Sequence, residues 1–351
     1  MRQPITGLLL SLVASTGMVF AAPLAGAEPA QSLLPALPGI PAAYSVVSTI
    51  PVGQAPGEVA VSPDGRRAYV TNEDGNSVTV INLKTRRVSA TIRVGTAPRG
   101  VAVSPDNRRV YVANNGGDAQ RLGTVSVIDS QAARVISTAG TLPSPENLAI
   151  SPDGSRLEVA GAGGSSEYGV AEHSLPALTL TGYPLQHRGC SADGIAVVDT
   201  LRGTRTWGVT CPALGVVNIQ DQGCGNGACE FPVLVGANPQ GIAFDRNGNY
   251  AYVANADSDT VSVIDLATRL VSVNIPVGGS PYGVAVGRTK AFVTNFESDT
   301  VSVIDLATNT VVQVIPVGDG PSGVAVSARS GSVYVTNVMS NNVSVLKSPT
   351  P

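Results

Sequence analysis

One position of this sequence changes its residue type from copy to copy, although the segments on both sides of it repeat. It follows a proline turn and precedes an alternating segment such as GVAV or GIAF. The residues there are Arg99, Glu146, Asp193, Gln240, Tyr282 and Ser322, and Glu58 stands one place further on in the first copy. Clustered carboxylates can hold Ca²⁺ or Mg²⁺ and polarise a carbonyl group, which is the minimum that a metal-dependent hydrolase requires.

These side chains meet only if the segments that follow them surround a channel, in which case they gather around one of its mouths. We predict a ligand or partner face there, made of Glu58, Arg99, Glu146, Asp193, Gln240 and Tyr282. Glu58, Glu146 and Asp193 are the candidate metal ligands, and no residue is predicted to be catalytic. We expect no cofactor, with Ca²⁺ or Mg²⁺ as the alternative. The simpler alternative, without a specific ligand, is an ordinary polar rim around a water-filled channel.

Two residue types mark the repeat that would position this face. A glycine of a Val-Gly turn recurs at Gly53, Gly95, Gly236, Gly278 and Gly318, at intervals of 42, 141, 42 and 40 residues. An asparagine that closes a later strand recurs at Asn72, Asn114, Asn255, Asn295 and Asn337, with the same long interval of 141. Two degenerate copies therefore lie in that interval, and the chain holds seven copies. We interpret the asparagines as turn-stabilising, because short polar side chains bond turn backbone.

Each full copy predicts four short antiparallel strands joined by turns such as SPDG. In the second copy these strands are residues 100–104, 109–114, 124–129 and 134–138. Four strands in a period of about 40 residues are typical of a β-propeller blade. The seventh copy stops after its third strand, whereas residues 44–51 resemble a fourth strand without the first three. We therefore predict an all-β, seven-bladed propeller over residues 44–347, with its last blade closed by the N-terminal strand.

The strings VYVAN, YVAN, FVTN and VYVTN, each followed by TVSVID or NVSV, resemble the YVTN-type β-propeller repeats of exported surface-layer-like proteins. The third and fourth copies depart from this pattern, with LEVAGAGG and TWGVTC in its place. The resemblance implies the propeller fold, and similar propellers include lactone hydrolases, lyases, copper-dependent enzymes and single-stranded nucleic-acid binders. A copper centre needs many histidines, and this chain has only His173 and His187, which we expect at the surface.

Composition and the N-terminus limit the setting and the partners. A formal net charge of −3 gives no general attraction to nucleic-acid phosphates or anionic lipids. Residues 1–27 are predicted to be a cleaved signal peptide, because Arg2 precedes an apolar core and AGA precedes the cleavage point. Residues 28–43 form a Pro/Ala-rich linker and residues 348–351 a tail. We expect a secreted, periplasmic or cell-surface monomer without a membrane span.

All four cysteines fall in the fourth copy, and export makes disulfides the default. Cys190 precedes the first strand of that copy and Cys211 ends its second, so both lie on one rim. Cys224 and Cys229 lie in a loop on the opposite rim. We therefore predict the pairs Cys190–Cys211 and Cys224–Cys229, whereas a zinc site would need all four sulfurs together.

The functional prediction is an exported binding or interaction module without chemistry of its own, which meets an envelope or extracellular protein or a glycan. The first alternative is a metal-dependent lactone hydrolase or lyase at the channel mouth, which requires Glu58, Glu146 and Asp193 within reach of one ion. The second is a single-stranded nucleic-acid binder, which requires a basic strip made of Arg66, Arg67, Arg108 and Arg109. The negative total charge argues against the second alternative.

Overall fold

Seven four-stranded antiparallel sheets make up the fold. The computed structural model describes residues 43–116, 122–161, 169–185, 192–200, 204–221 and 230–348. The first strand along the chain, β1 (Ser45–Pro51), belongs to the last of these sheets. The first strands of the repeats contact one another in ring order, and the seventh of them contacts the first. The predicted all-β, seven-bladed propeller is therefore confirmed.

The blades follow one another in chain order. Blade 1 contains β2 (Pro56–Val61), β3 (Arg67–Asn72), β4 (Ser77–Asn82) and β5 (Arg87–Arg93). Blade 2 contains β6 (Pro98–Val103), β7 (Arg109–Asn114), β8 (Leu122–Asp129) and β9 (Arg134–Pro143). Blade 3 contains β10 (Pro145–Ile150), β11 (Arg156–Gly161), β12 (Val170–Ser174) and β13 (Thr179–Leu185). Blade 4 contains β14 (Ile195–Asp199), β15 (Arg205–Cys211), β16 (Val216–Asp221) and β17 (Glu230–Leu234).

The remaining blades have the same plan. Blade 5 contains β18 (Pro239–Phe244), β19 (Tyr250–Asn255), β20 (Thr260–Asp265) and β21 (Leu270–Pro276). Blade 6 contains β22 (Pro281–Val286), β23 (Lys290–Asn295), β24 (Thr300–Asp305) and β25 (Thr310–Pro316). Blade 7 contains β26 (Pro321–Val326), β27 (Val333–Asn337) and β28 (Asn342–Lys347), with β1 as its outer strand. Two short 3-10 helices, Pro212–Leu214 and Ala256–Ser258, lie in turns of blades 4 and 5.

The N-terminal strand closes the ring by pairing antiparallel with the last strand. Ile50 lies opposite Val343 in this pairing, and the Ile50 side chain is only 3% exposed. Just before the strand, the backbone NH of Tyr44 donates to Gln313 Oε1 at 2.9 Å, which ties the start of the propeller to the outer strand of blade 6. The pairing removes a sheet edge that would otherwise remain open to association.

The core lies between neighbouring blades. One cluster, for example, packs Tyr69 and Val80 of blade 1 against Val101 and Val112 of blade 2. The second and third strands of each blade are mostly buried on both faces, and buried aliphatic residues alternate there with small buried polar ones such as Thr79 and Ser126. This packing holds the seven inner strands in a ring and so determines where the varied position of each copy lies.

Several sequence predictions have a different outcome. The last strand of blade 2 extends to Pro143 because Leu122, at the start of the preceding strand, pairs with it. His173, which was expected at the surface, is fully buried, and this burial lowers its pKa. Cys211 is buried and disulfide-bonded. The other three cysteines lie outside the described residues, so the two pairings stay predictions.

The predicted signal peptide and all of the linker except Ala43 also lie outside the described residues, as do residues 349–351 of the tail. Within the part of the chain that the structure describes, no helix is long and apolar enough to cross a membrane.

Candidate functional site

The glycines and asparagines that mark the repeat form one contact in each of five blades. A Cβ atom on Gly53 would lie 2.4 Å from Asn72 Cγ, and the Gly53 NH donates to Asn72 Oδ1 at 3.0 Å. The Asn72 amide group in turn donates to Ser77 Oγ at 3.0 Å. The equivalent pairs are Gly95 with Asn114, Gly236 with Asn255, Gly278 with Asn295 and Gly318 with Asn337. The five asparagines are at most 1% exposed, so they support the turn that leads into the inner strand and do not reach a ligand.

A second contact between blades was not recognised in the sequence. The residue before the marker asparagine is threonine in three blades, and Thr210 of blade 4 occupies the same place before Cys211. The hydroxyl of each of these four threonines donates to a carbonyl of the next inner strand. Thr294, for instance, donates to the Ser322 carbonyl at 2.6 Å. We call this hydroxyl-to-carbonyl hydrogen bond a clamp. The other three clamps run from Thr71 to Arg99, from Thr210 to Gln240 and from Thr336 to Gly57. The sequence already held a sign of this bond, because some copies have threonine before the asparagine and others have alanine, which cannot form it.

These contacts present the varied residues at the mouth of the channel, where they line one cavity of about 390 Å³. The cavity lining includes all seven varied residues, Glu58, Arg99, Glu146, Asp193, Gln240, Tyr282 and Ser322. Glu73, Asn147, Phe296 and Val338 also line it and were not singled out from the sequence. Geometry therefore brings the whole predicted face together, while its binding role stays a prediction.

Glu58 and Asn147 reach the cavity because they stand where the other five blades have a glycine. In the other five, glycine follows the varied residue since adjacent inner strands come too close for a side chain. A Cβ on Gly283, for example, would lie 2.4 Å from the Ser322 carbonyl oxygen. Glu58 and Asn147 replace this glycine in blades 1 and 3, and each side chain accepts a hydrogen bond from the next backbone NH, at 3.1 and 2.8 Å. Both side chains also border a second, smaller cavity next to the mouth, which we call the throat.

Arg99 neutralises part of the acidic lining. Its guanidinium group donates to Glu73 Oε1 at 2.9 Å and to Glu146 Oε2 at 2.5 Å. Burial lowers the pKa of Arg99, but the two carboxylates more than offset this effect and raise it. Glu146 also accepts a hydrogen bond from Asn115 at 2.9 Å. This group is therefore a paired structural unit on one side of the mouth.

Glu58 of blade 1 and Asp193 of blade 4 flank this unit, and neither forms a salt bridge with another described residue. Burial raises the pKa of Glu58 to about 7, and the Val59 NH offsets this only in part. Burial also raises the pKa of Asp193 to about 6, with Glu146 adding to the shift, while the charge of Arg99 and a hydrogen bond from Gln240 oppose it. For the same reasons, burial followed by the nearby carboxylates, the pKa of Tyr282 is raised to about 12. The mouth is thus short of positive charge.

The requirements of the two alternative functions are not met by the described residues. No group of three or more metal-ligating side chains occurs among them, and Glu146 is committed to Arg99. In the proposed basic strip, the guanidinium groups of Arg67 and Arg109 bind backbone carbonyls of the following blade. Arg66 is exposed, with Asp64 3.8 Å away. These arginines mainly support turns between blades.

Comparison with known proteins gives a family match and a fold match. The sequence profile of the family described as "Cytochrome D1 heme domain" matches residues 51–151. The solved structure "Kuenenia stuttgartiensis Hydrazine Synthase" is similar, with a TM-score of 0.72 and 21% sequence identity over 85% of this chain and 96% of that chain. At this identity the likeness concerns the fold alone. No curated protein matched the chain in sequence.

The family match corrects the prediction about cofactors. We expected none, or Ca²⁺ or Mg²⁺, and this is wrong, because the matching family is a heme domain and points to heme. The match covers blades 1 and 2 and the first strand of blade 3. The side chains that line the mouth show whether it could hold a heme.

The described mouth does not fit a heme. Heme iron in proteins is held by His, Cys, Met or Tyr, and of these types only Tyr282 occurs among the described residues that line the cavity. Its raised pKa, about 12, favours the neutral phenol over the phenolate that binds iron. The lining also has four carboxyl groups against Arg99, and these would repel the carboxylates of the heme itself. No chemical step is therefore derived through a heme.

Proposed function

We propose that the chain is an exported propeller that serves as a binding module and holds a small ligand at the mouth of its channel, without chemistry of its own. The observation that carries this proposal is the cavity of about 390 Å³, to which every blade contributes a different side chain on a repeated backbone. Ligand sites of small molecules are concave, of this size, and carry a few placed polar groups. Variation at the cavity lining on a repeated backbone is what recognition of a specific ligand requires.

The arrangement supports binding over catalysis. A metal-assisted hydrolase needs carboxylates that are free to share one ion, whereas Glu146 is paired with Arg99 and held by Asn115. Glu58 and Asp193 accept hydrogen bonds from Val59 and Gln240. We propose an envelope or extracellular protein, or a glycan, as the partner that the loaded propeller meets.

A retention experiment tests the proposal. The purified chain and the cavity-filling variant Ser322→Trp are each equilibrated with a small-molecule extract of cells, washed and examined by mass spectrometry. We expect the wild-type chain to retain at least one compound in near-stoichiometric amount and the variant to lose it. Ser137→Trp, on the exposed outer strand of blade 2, is the control and should retain the compound. Equal retention by the wild-type chain and a folded Ser322→Trp variant would refute the proposal.

The family match favours a second candidate function, heme binding by a redox propeller. Since the described mouth lacks a suitable donor set, the heme would be held elsewhere on the chain. Titration with hemin tests this candidate, and the expected sign is a shifted Soret band that saturates at one equivalent. The shift should survive in Tyr282→Phe, because Tyr282 would not be the ligand. A linear, unsaturable increase in absorbance would exclude the candidate.

A further inference from the structure

We infer that the ligand of the mouth cavity is a small organic cation, an ammonium group that carries a short apolar chain and a hydrogen-bonding group. This inference rests on the proposed function and names the class of ligand. It is carried by the charge distribution in the cavity, by its aromatic wall, by a free hydroxyl group and by the apolar floor below it.

The charge distribution leaves two acidic groups for the ligand. Arg99 is the one basic side chain in the described lining, and its donors are directed at Glu73 and Glu146. Asp193 and Glu58 form no direct ion pair with another described residue, although both face the same cavity and Arg99 acts on Asp193 from a distance. An ammonium group placed between them would supply the missing charge in a site that is partly shielded from water, where a charge pair is stronger than at the open surface.

The aromatic wall distinguishes an organic cation from a metal ion. Tyr282 and Phe296 both line the cavity, and Tyr282 keeps 40% of its surface exposed. The faces of such rings attract ammonium groups, including quaternary ones, which have no N–H group to donate to an oxygen. A divalent metal ion instead needs several converging oxygen ligands, and the described residues hold no group of three that could provide them.

Ser322 adds an independent sign that the cavity is built for a ligand. It is nine-tenths buried and lines the cavity, and its hydroxyl group has no hydrogen-bond partner within the described parts of the chain. Thr294 holds its carbonyl at 2.6 Å, so the residue is fixed in place. Because the hydroxyl is open to the cavity and is not enclosed by protein, it is free to bond water or a ligand there. A hydroxyl or N–H group of the ligand fits this position.

The floor of the cavity limits the size of the ligand. Below the mouth lies a second cavity of about 180 Å³, and Glu58 and Asn147 border both. Its lining is otherwise mainly aliphatic, with Val101, Leu148, Ile195, Ile242, Val284 and Val324. A charged group does not enter such a constriction without losing its hydration. The ammonium group therefore stops at the level of Glu58, while a short hydrocarbon chain can point into the throat.

The titration behaviour of the site agrees with this assignment. The pKa values of Asp193 and Glu58 are raised, to about 6 and about 7, because both carboxyl groups are buried, and Arg99 offsets this only in part at Asp193. A bound cation favours their ionised forms, so binding near neutral pH releases protons. Affinity should fall as the pH drops below about 6, where both groups are protonated before the ligand arrives.

Isothermal titration calorimetry with matched charged and uncharged probes tests the inference on the purified wild-type chain. Choline and n-butylammonium are the charged probes, and 3,3-dimethylbutan-1-ol and 1-butanol are uncharged molecules of similar shape. At pH 8 we expect at least one charged probe to bind roughly tenfold or more tightly than its uncharged counterpart. At pH 5 this preference should largely disappear. Equal affinity within both pairs would overturn the inference.

Variants locate the site and separate the two proposals. Asp193→Asn and Glu58→Gln should each weaken the charged probe roughly tenfold, while Glu297→Gln, an exposed acid outside the cavity lining, should leave its affinity unchanged. Binding of CaCl₂ in place of the ammonium probes would also overturn the inference. If the probes fail but Ser322→Trp still abolishes retention of a compound, only the ligand class is wrong. If Ser322→Trp changes nothing, the proposed function itself fails.

Discussion

The clearest physical test of the mouth is the substitution Glu58→Gln. Burial raises the pKa of Glu58 from 4.5 to about 7, so the folded chain binds this proton more tightly than the unfolded chain does. The resulting stabilisation is fully present below pH 4.5 and is lost as the pH rises through about 7. At 1.36 kcal/mol per pH unit, the difference amounts to at most ~3 kcal/mol. Partial exposure to the open cavity reduces it to about 1–2 kcal/mol.

Glutamine keeps the oxygen that accepts the Val59 NH and carries no charge at any pH. We therefore expect Glu58→Gln to raise the free energy of unfolding by about 1–2 kcal/mol at pH 8.5 and to leave it nearly unchanged at pH 4. The assay is urea unfolding followed by the fluorescence of Trp207, the single and almost fully buried tryptophan. Glu297→Gln is the control and should show the same difference from wild type at both pH values. A Glu58→Gln variant that is no more stable at pH 8.5 than at pH 4, relative to wild type, would refute the reasoning.

Three further predictions concern the frame that carries the mouth, and all use urea unfolding. Thr294→Val removes the clamp on the varied residue of blade 7 and should cost about 1–2 kcal/mol, whereas Thr96→Val, at an exposed turn, should cost little; equal effects would contradict the clamp. Gly278→Ala places a Cβ 2.7 Å from Asn295 Cγ and should cost about 1–3 kcal/mol; unchanged stability would mean that the pair is not rigid. Ile50→Ala should cost about 2–5 kcal/mol, because this side chain seals the N-terminal strand into the last blade; a loss below about 1 kcal/mol would argue against closure there.

Much of the scaffold was predictable because its signals are local and repeated. The Val-Gly turn and the closing asparagine share their spacing since Gly53 and Asn72, like every later pair, touch each other. The missing fourth strand at one end and the surplus strand at the other predicted that the N-terminal strand pairs with the last strand of the chain. Each of these inferences needed only strand periodicity, turn chemistry and the count of copies.

Other parts of the site had no usable signal in the sequence. Glu73 follows a marker asparagine and appears as one more acid of a solvated turn, yet it binds Arg99 of the next blade. Phe296 occupies the equivalent place in blade 6 and forms part of the cavity wall. Asn147 enters the throat only because it replaces a glycine in a degenerate copy. These contacts join residues from different blades, and their distances depend on how closely the inner strands approach.

The sequence by itself determined the number of blades, the order of strands, the place of closure and the position in each copy at which residues are free to vary. Those features follow from repetition, because an isolated unit cannot bury both of its faces and must stack on its neighbours. Only the tertiary structure decided which varied side chains neutralise one another and which stay unpaired. Charge pairing, burial and the raised pKa values of Glu58 and Asp193 depend on distances across the ring, and such distances exist only once the seven blades have closed.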